Sequence, residues 1–576
     1  MISVEQTLLE RFPRLASPRA RLLTRPMVAF LRRLVCEERI NAVLASGQGL
    51  AGFDFVEHVL RELRFSYQVA PTERENIPVE GRVVIVANHP LGALDALALL
   101  DLVGSVRRDV RILANDVLMH LEPLRPLVLP IAVFGEGDGP RIGPREAFRA
   151  LEREQALVVF PGGEVSRIRV GGVRDPRWSD GFLRLALRTG APVLPVHVGG
   201  HNSPLFYGVS VLAKPLSMLM LAREVFGNEQ SRITLNIGEL VPSHALKVPG
   251  LRPERVAARM RHHVYRLPRR KPPKFQTSGA IAHPEPPQAV RAALARGERL
   301  GATSDGKQII LLDPQPDCPA LREIGRLREL TFRRVGEGTG GRRDLDRYDA
   351  HYRHIVLWDA EAVRLVGAYR LGEGATLLAR QGIEGLYSHS LFDYAPEATG
   401  FIAEGVEMGR SFVVPAYWGS RSLDYLWQGI GAYLRARPAV RYLFGPVSLS
   451  AALPSAARDW LVHYHRHYYP DPDRLARARN PHRLDPDVAV AAEAAWAGRD
   501  ARAGLAELKQ RLADLKVSLP VLYRQYVDLV EPQDGGVRFL DFGVDPSFGN
   551  CVDGLIRVDL AFLKPGKRAR YIDVDA

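Results

Sequence analysis

The sequence predicts an α/β protein in two parts: an N-terminal α/β domain on a mostly parallel sheet, and a C-terminal α+β domain. Three observations predict it. Strand-like and helix-like runs alternate through residues 83–245; a proline-rich basic segment without periodicity interrupts them at residues 267–287; beyond it the order becomes helix, hairpin, strand, helix, strand, helix. At 576 residues the chain also exceeds one ordinary core.

In order, RVVIVAN (82–88) reads as a buried strand and ALDALALLDLV (93–103) as a helix. DVRILAN is a strand, PREAFRALERE a helix, ALVVF a strand. DGFLRLALRTG is a helix closed by Gly190, and APVLPVHV and RITLNIGELV are further strands. The segment 267–287, LPRRKPPKFQTSGAIAHPEPP, reads as an extended linker between domains 1–266 and 288–576. After it, CPALREIGRLRELTFRRVG is helical and HIVLWDAEAVRLVGAYRLG is a hairpin. GFIAEGVEMGRSFV holds a strand, SLDYLWQGIGAYLRA a helix, RYLFGPVSL a strand and ARDWLVHYHRHYY a helix. In LAELKQRLADLK the spacing of Leu505, Leu508, Leu512 and Leu515 predicts a core stripe.

The net charge of +13 suits nucleic acid, an anionic membrane surface or an acidic carrier protein; no zinc-finger or RNA-binding signature supports the first. Cys36, Cys318 and Cys551 lie far apart without a C-x-x-C, which suits a reducing compartment. The first residues lack the basic and apolar regions of a signal peptide, and no uninterrupted stretch of about 20 apolar residues exists. The nearest, PLFYGVSVLAKPLSMLMLA (204–222), carries Lys214 and Pro215 and reads as buried core or as a surface that dips into lipid.

Chemistry first shows at VVIVANHPLGALD. A strand ends at His89, and Asp95 falls in the first turn of the next helix, where the helix dipole favours a negative charge. A histidine at the carboxyl end of a sheet strand sits where open α/β folds place ligands. An Asp on one imidazole nitrogen would leave the other a general base for a hydroxyl. Alone, the pair equally suits a helix cap beside a surface histidine. A second strand, however, ends in FPGGEVSR, whose Gly162-Gly163 turn would present backbone N–H groups to an anion, with Ser166 and Arg167 as further donors.

These blocks, with PVLPV (192–196), occur in an order that resembles the glycerolipid (lysophospholipid) acyltransferase family over residues 50–245. The resemblance implies a glycerolipid-acyltransferase-like α/β domain with His89 and Asp95 catalytic and Gly162, Gly163, Glu164, Ser166 and Arg167 binding substrate. The sequence departs from the family pattern: Asp95 follows His89 by six positions rather than five, Gly162 stands where the family has Glu, and the second block is not matched around residues 129–138. Altered acceptor blocks argue against a glycerol-phosphate acceptor.

The C-terminal half gathers Arg328 and Phe332 on a helix, then Asp344, Asp346, Asp349, His351 and His354, then Arg370, then Glu404, Glu407 and Arg410. Acids and bases meeting at strand ends suit a zwitterionic amino compound whose amine must lose a proton before attacking a thioester; singly, each also suits a surface ion pair. In order and spacing the set resembles the N-acyltransferases of the acyl-homoserine-lactone synthase and ornithine-lipid group, a branch of the GNAT fold, over residues 300–565. That resemblance implies a GNAT-like domain with Glu404 or Glu407 as base, and Arg328, Phe332, Asp349, His354, Arg370 and Arg410 in substrate binding. The GNAT pyrophosphate signature is only partial in QGIGAY (428–433), so acyl carrier protein is the expected donor, with coenzyme A the alternative and no bound cofactor. The Arg-rich helix at 322–334 is its expected docking face. HYHRHYY (463–469) lacks a third ligand for a metal and reads as a packing surface.

Together the halves look like the bifunctional ornithine-lipid synthases. The resemblance implies N-acylation of an amino acid, ornithine first, with a 3-hydroxyacyl chain, then O-acylation of the 3-hydroxyl. It implies a cytoplasmic enzyme held peripherally on the inner face of the bacterial cytoplasmic membrane, with anionic lipid as a contact and nucleic acid not a partner. The alternative is one catalytic half beside a carrier- or membrane-binding module.

Overall fold

The computed structural model describes residues 3–6, 18–114, 121–130, 144–169, 172–212, 214–313, 315, 317–531 and 535–573. The chain divides into two compact units, Met1–Ala280 and Ile281–Ala576.

In the first unit the strands are β1 (Ser66–Gln68), β2 (Val83–Ala87), β3 (Val110–Ala114), β4 (Val128–Pro130), β5 (Ala156–Val159), β6 (Arg167–Arg169), β7 (Gly172–Arg174), β8 (Val193–Val198) and β9 (Arg232–Ile237). Seven form one sheet in the order β1-β9-β8-β2-β5-β3-β4, parallel except between β8 and β9, while β6 and β7 pair as a hairpin. β2 is buried throughout, because helices cover both faces of the central strands. Its side chains alternate: Val83, Ile85 and Ala87 join the core with helix Ala93–Gly104, and Val84 and Val86 join the core with helices Gly181–Thr189 and Pro253–Val264. This puts the end of β2, with Asn88 and His89, at the middle of the sheet's carboxyl edge.

Residues 204–222 form helices Pro204–Leu212 and Lys214–Gly227, with Phe206, Tyr207 and Met220 buried and Leu205 53% exposed. Neither these nor any other described helix is long and apolar enough to cross a membrane. Most of the block at 129–138 lies outside the described residues.

The segment 267–287, expected as an extended linker, is packed from both sides of the division. Phe275 stacks on His263 in the first core, the Ser278 N–H donates to the Leu240 carbonyl (2.8 Å), and Ala280 is buried. Beyond the division, the Ala282 N–H donates to the Arg342 carbonyl (2.9 Å), and Glu285 pairs with Arg322 (3.0 Å) and Arg343 (2.9 Å). Periodicity missed this because single side chains, not a repeat, do the docking. A fragment beginning at residue 281 should therefore be more stable than one beginning at 288. Losing Glu285, discounted for its half-exposed partners, and the Ala282 contacts costs about 1–2 kcal/mol, roughly 2–6 °C in Tm by calorimetry. Equal melting of the two fragments would refute this docking.

The second unit holds β10 (Glu298–Ala302), β11 (Gln308–Leu312), β12 (Arg353–Asp359), β13 (Arg364–Glu373), β14 (Phe392–Tyr394), β15 (Gly405–Val413), β16 (Tyr442–Leu449), β17 (Ala476–Ala478), β18 (Val537–Asp545) and β19 (Cys551–Asp559). Eight run β10-β11-β12-β13-β15-β16-β19-β18, antiparallel except for parallel β15–β16; β14 and β17 pair separately. β15 and β16 pair only at Gly405–Glu407 and Tyr442–Phe444, then part. Helix Pro319–Arg334 covers one sheet face, and helices Ser422–Ala436, Ser455–Tyr468 and Ala501–Asp514 cover the other. Leu508 and Leu512 are fully buried, and Leu505 and Leu515 pack beside them. His465 is buried with Nδ1 2.7 Å from the Leu461 carbonyl, burial pushes its pKa down to about 4, and Trp496 donates to His463 Nδ1 (3.0 Å). These histidines pack the core, and among the described residues no three His, Cys, Asp or Glu side chains are grouped to hold a metal.

Candidate active sites

In the first unit, the Asn88 amide exchanges two hydrogen bonds with the Val198 backbone (2.8 Å each), tying the carboxyl ends of β2 and β8. The chain then turns into helix Ala93–Gly104, whose first turn carries Asp95. Asp95 is fully buried; its Oδ2 accepts from the Leu91 N–H (2.8 Å) and lies 3.1 Å from His89 Nδ1. Burial pushes the Asp95 carboxyl up, against the pull of His89 and the Leu91 N–H. With Nδ1 facing a carboxylate, the proton belongs on Nδ1, and Nε2 is left as the acceptor. The ring stacks on Phe160 (centroids 4.0 Å apart), and 18% of its side chain stays accessible. A fixed, largely covered imidazole whose Nε2 is left as the acceptor can take a proton from a hydroxyl.

A second acid, Asp175, completes this loop. Its Oδ1 accepts from the His89 N–H (3.1 Å) and from the Ser166 hydroxyl, its Oδ2 from Trp178 Nε1 (2.7 Å), and its own N–H donates to the Tyr265 hydroxyl (2.9 Å). The Ser166 N–H donates to the His89 carbonyl (2.7 Å). Ser166, expected as a donor to substrate, is thus buried and spent on holding Asp175 and His89. Gly162 lies against Asp175, where an added Cβ would make ordinary contact with its side chain (3.4 Å). Gly163 takes a left-handed conformation (φ 67°), and its N–H is used inside the turn, on the Phe160 carbonyl (3.1 Å). Glu164 and Arg167 form a loose pair at the rim (3.8 Å), and Arg167 Nη1 reaches the Ser210 carbonyl (3.3 Å). Asp175 escaped sequence reading because it follows a hairpin, 86 residues from its partner His89, with no periodic cue.

In the second unit three guanidinium groups interleave with three carboxylates. Buried Arg328 grips Asp349 with two nitrogens (2.9 Å each) and donates through Nε to the Asp344 carbonyl (3.0 Å). Arg370 holds both oxygens of Asp346 (2.7 and 2.8 Å) and lies 3.3 Å from Asp349. Arg410 lies 3.2 Å from Asp344 and over the rings of Tyr387 and Phe548. It gets there through a bulge in the β13–β15 ladder, where its own φ is 50°. Phe548 packs edge-on against buried Phe332 (5.1 Å). Burial pushes Asp349 up, but Arg328 and Arg370 outweigh it and hold the carboxyl well below the usual range. Burial lowers the His354 pKa to about 3, so its ring is neutral, 3.7 Å from Asp349.

Glu407 is buried beside this cluster, and burial raises its pKa. It accepts from the Ser388 N–H (2.6 Å), the Tyr387 N–H (3.1 Å) and the Tyr352 hydroxyl. Three donors on one carboxylate make it first a clamp on the 387–388 loop. Glu404 is elsewhere: it follows helix Ala398–Ala403, its side chain is 56% exposed, and it lies 4.0 Å from Arg441. His351 is exposed. Two acids not singled out in the sequence stand near Arg410. Burial pushes Asp553, which accepts from Ser448 (2.6 Å), up to about 7, and pushes Glu337 up to about 7 with the Asp553 charge adding. A carboxyl titrating near neutrality matches what an ammonium must meet to become an amine.

QGIGAY lies inside helix Ser422–Ala436, and Gly431 is there because a Cβ would collide with the Tyr571 backbone (1.7 Å). On helix Pro319–Arg334, Arg322 pairs with Glu285, Arg326 with Glu323 and Arg333 with Glu329, so its arginines are largely spent internally.

An acyltransferase family model matches residues 7–269, and an acetyltransferase (GNAT) domain model matches residues 327–428. Lyso-glycine lipid O-acyltransferase of Phocaeicola vulgatus is 31% identical over 234 residues, 39% of this chain and 82% of that protein. Glycine N(alpha)-acyltransferase of the same organism is 28% identical over 313 residues, 51% of this chain and 92% of that protein. L-ornithine N(alpha)-acyltransferase of Brucella abortus is 31% identical over 177 residues, 28% of this chain and 60% of that protein.

Proposed function

Because the chain belongs to the acyltransferases, an acyltransferase domain followed by a GNAT domain, we propose that it makes a diacylated aminolipid in two steps. In the second unit the α-amine of an amino acid attacks a 3-hydroxyacyl thioester; an amide bond forms, the thiolate leaves, and the amine's proton passes to a carboxylate. In the first unit the 3-hydroxyl attacks a second acyl thioester as His89 Nε2 takes its proton, which goes on to the leaving thiolate. The amino acid is glycine or ornithine, the two that occur in the relatives' names. The observation that carries the reading is the pairing, on one chain, of likenesses to an O-acyltransferase and an N-acyltransferase that are separate proteins in Phocaeicola vulgatus.

The net charge of +13 supports an acidic carrier protein as donor, and the parting of β15 from β16 leaves backbone groups free for an extended thioester arm. Peripheral membrane contact is supported by exposed Phe30 (60%), Ile168 (57%) and Leu205 (53%), which lie on elements joined through helices Pro204–Leu212 and Lys214–Gly227. The test is expression in a host without aminolipids, with lipids read by mass. A diacylated glycine or ornithine lipid is the expected product; its absence, with the chain folded and expressed, would sink the reading. In vitro, the KM for carrier-bound donor should rise steeply with salt; flat dependence with equal use of the coenzyme A thioester would remove the carrier assignment.

A further inference from the structure

A cavity of about 310 Å³ opens beside the His89 loop, between the ends of β2 and β8, strand β7 and the segment after helix Pro253–Val264. Asn88 and Pro90, the chain neighbours of His89, line it, with Ser166, Arg174, His197 and Arg269. Tyr265 forms a further wall and accepts the Asp175 N–H, so the cavity is joined to the His89 loop through Asp175.

The lining is cationic and unspent. Arg174 rests over the Tyr265 ring (5.3 Å), and among the described residues neither Arg174 nor Arg269 has an ion-pair partner. His197 presents a buried Nδ1 without a hydrogen-bond partner. Burial pushes the His197 pKa down to about 4, so the ring is a neutral donor or acceptor there. The neighbouring Asp175 carboxylate is already taken by the His89 N–H, Ser166 and Trp178. Burial, together with Lys274, Arg266, Arg174 and Arg261, pushes the nearby His262 pKa down, the mark of a positive field across this face.

Resting on the O-acyltransfer reading of His89, we propose that this cavity is the headgroup subsite of the first unit, in which Arg174 and Arg269 bind the free carboxylate of an N-acylated amino acid. In such an acceptor the carboxylate carbon and the 3-hydroxyl oxygen are six bonds apart, about 7 Å extended, the reach of two residues of chain. A carboxylate seated beside Asn88 and Pro90 therefore lies next to the His89 backbone, with the six-bond span left to carry the hydroxyl toward the His89 ring, which does not itself line the cavity. A planar carboxylate suits guanidinium forks.

The test uses the full chain, an N-(3-hydroxypalmitoyl)glycine acceptor and its methyl ester, with wild type, the double variant Arg174→Ala/Arg269→Ala and the double Arg→Lys variant. Charge-assisted contacts of this kind set the expected rise in acceptor KM for the Ala pair at about 10- to 100-fold, with kcat held within about twofold. The Lys pair should recover part of the loss, and the donor KM should not move. Wild type acting on the ester should match the Ala pair acting on the acid. Equal KM for acid and ester in wild type overturns the subsite even if the Ala pair fails to fold. A rise in donor KM instead, meaning that a thioester phosphate uses the cavity, also overturns it. A wild-type chain that acylates neither acceptor overturns the O-acyltransfer reading itself, and the subsite with it.

Discussion

His89→Ala should turn the two-step product into the one-step product: the N-acylated amino acid accumulates and the diacylated lipid falls by about a hundredfold or more in rate. The size follows from what is lost. His89 Nε2 is the acceptor that the Asp95 contact leaves open, and its nearest polar neighbours are not free to replace it: Ser166 and Asp175 are consumed by each other and by the His89 backbone. Folding should survive, because the ring is partly exposed and the loop is held through backbone atoms. Asp95→Asn is the finer probe. It keeps an acceptor for the Leu91 N–H but offers Nδ1 no charge to orient against, and loss of tautomer control alone costs on the order of 10²–10⁴ in comparable sites. Product masses from the purified chain, with N-acylation as the internal control, decide it. Diacylated lipid at the wild-type rate from His89→Ala would exclude this site from the second acylation.

The legible part of the structure was the part written as repetition. The apolar run of β2, the helix after it and the paired leucines of helix Ala501–Asp514 are periodic, and periodicity survives into burial. The neighbourhood of His89 and Asp95 was legible because both follow the end of β2 within eight residues. Asp175 was not, since its role exists only once a hairpin brings it back to the His89 backbone. The same distinction separates Glu407 from Glu404. The two lie three positions apart, and β15 begins at Gly405, so Glu404 belongs to the helix end and points to solvent, while Glu407 faces the core. Arg410 reaches its acids through a bulge, and Asp553 and Glu337 become near-neutral acids only by being buried together. Such effects depend on contacts between distant segments, which a linear pattern does not carry. The arginines of 322–334 show the reverse case: the sequence displays their charge but not their partners, and the fold pairs Arg322, Arg326 and Arg333 with glutamates.

Arg328→Met should abolish N-acylation and destabilise the second unit by about 3–5 kcal/mol, the usual cost of removing one partner from a buried ion pair. Arg328 is fully buried, carries the fork on Asp349 and also satisfies the Asp344 carbonyl, so its removal strands one charge and one acceptor together. Arg370, 3.3 Å from Asp349, stays to compensate in part, which places the effect toward the lower end of that range. The pH dependence gives the prediction its sign. In wild type the Asp349 carboxyl is held well below its unfolded value of about 3.9, so its contribution is present above that pH and is lost only as pH falls through the depressed folded value. Without Arg328 the burial effect gains ground and the folded pKa rises. The variant then keeps a proton at pH 5 more readily than at pH 8. The gap in Tm between wild type and Arg328→Met should therefore be wider at pH 8 than at pH 5, while O-acylation of supplied N-acyl amino acid continues wherever the chain stays folded. Arg328→Lys should fall between, since one ammonium cannot reproduce a fork and a carbonyl contact at once. A Tm gap that is small and the same at both pH values would show that Asp349 is not held by Arg328, and the charge-interleaved acceptor site would lose its anchor.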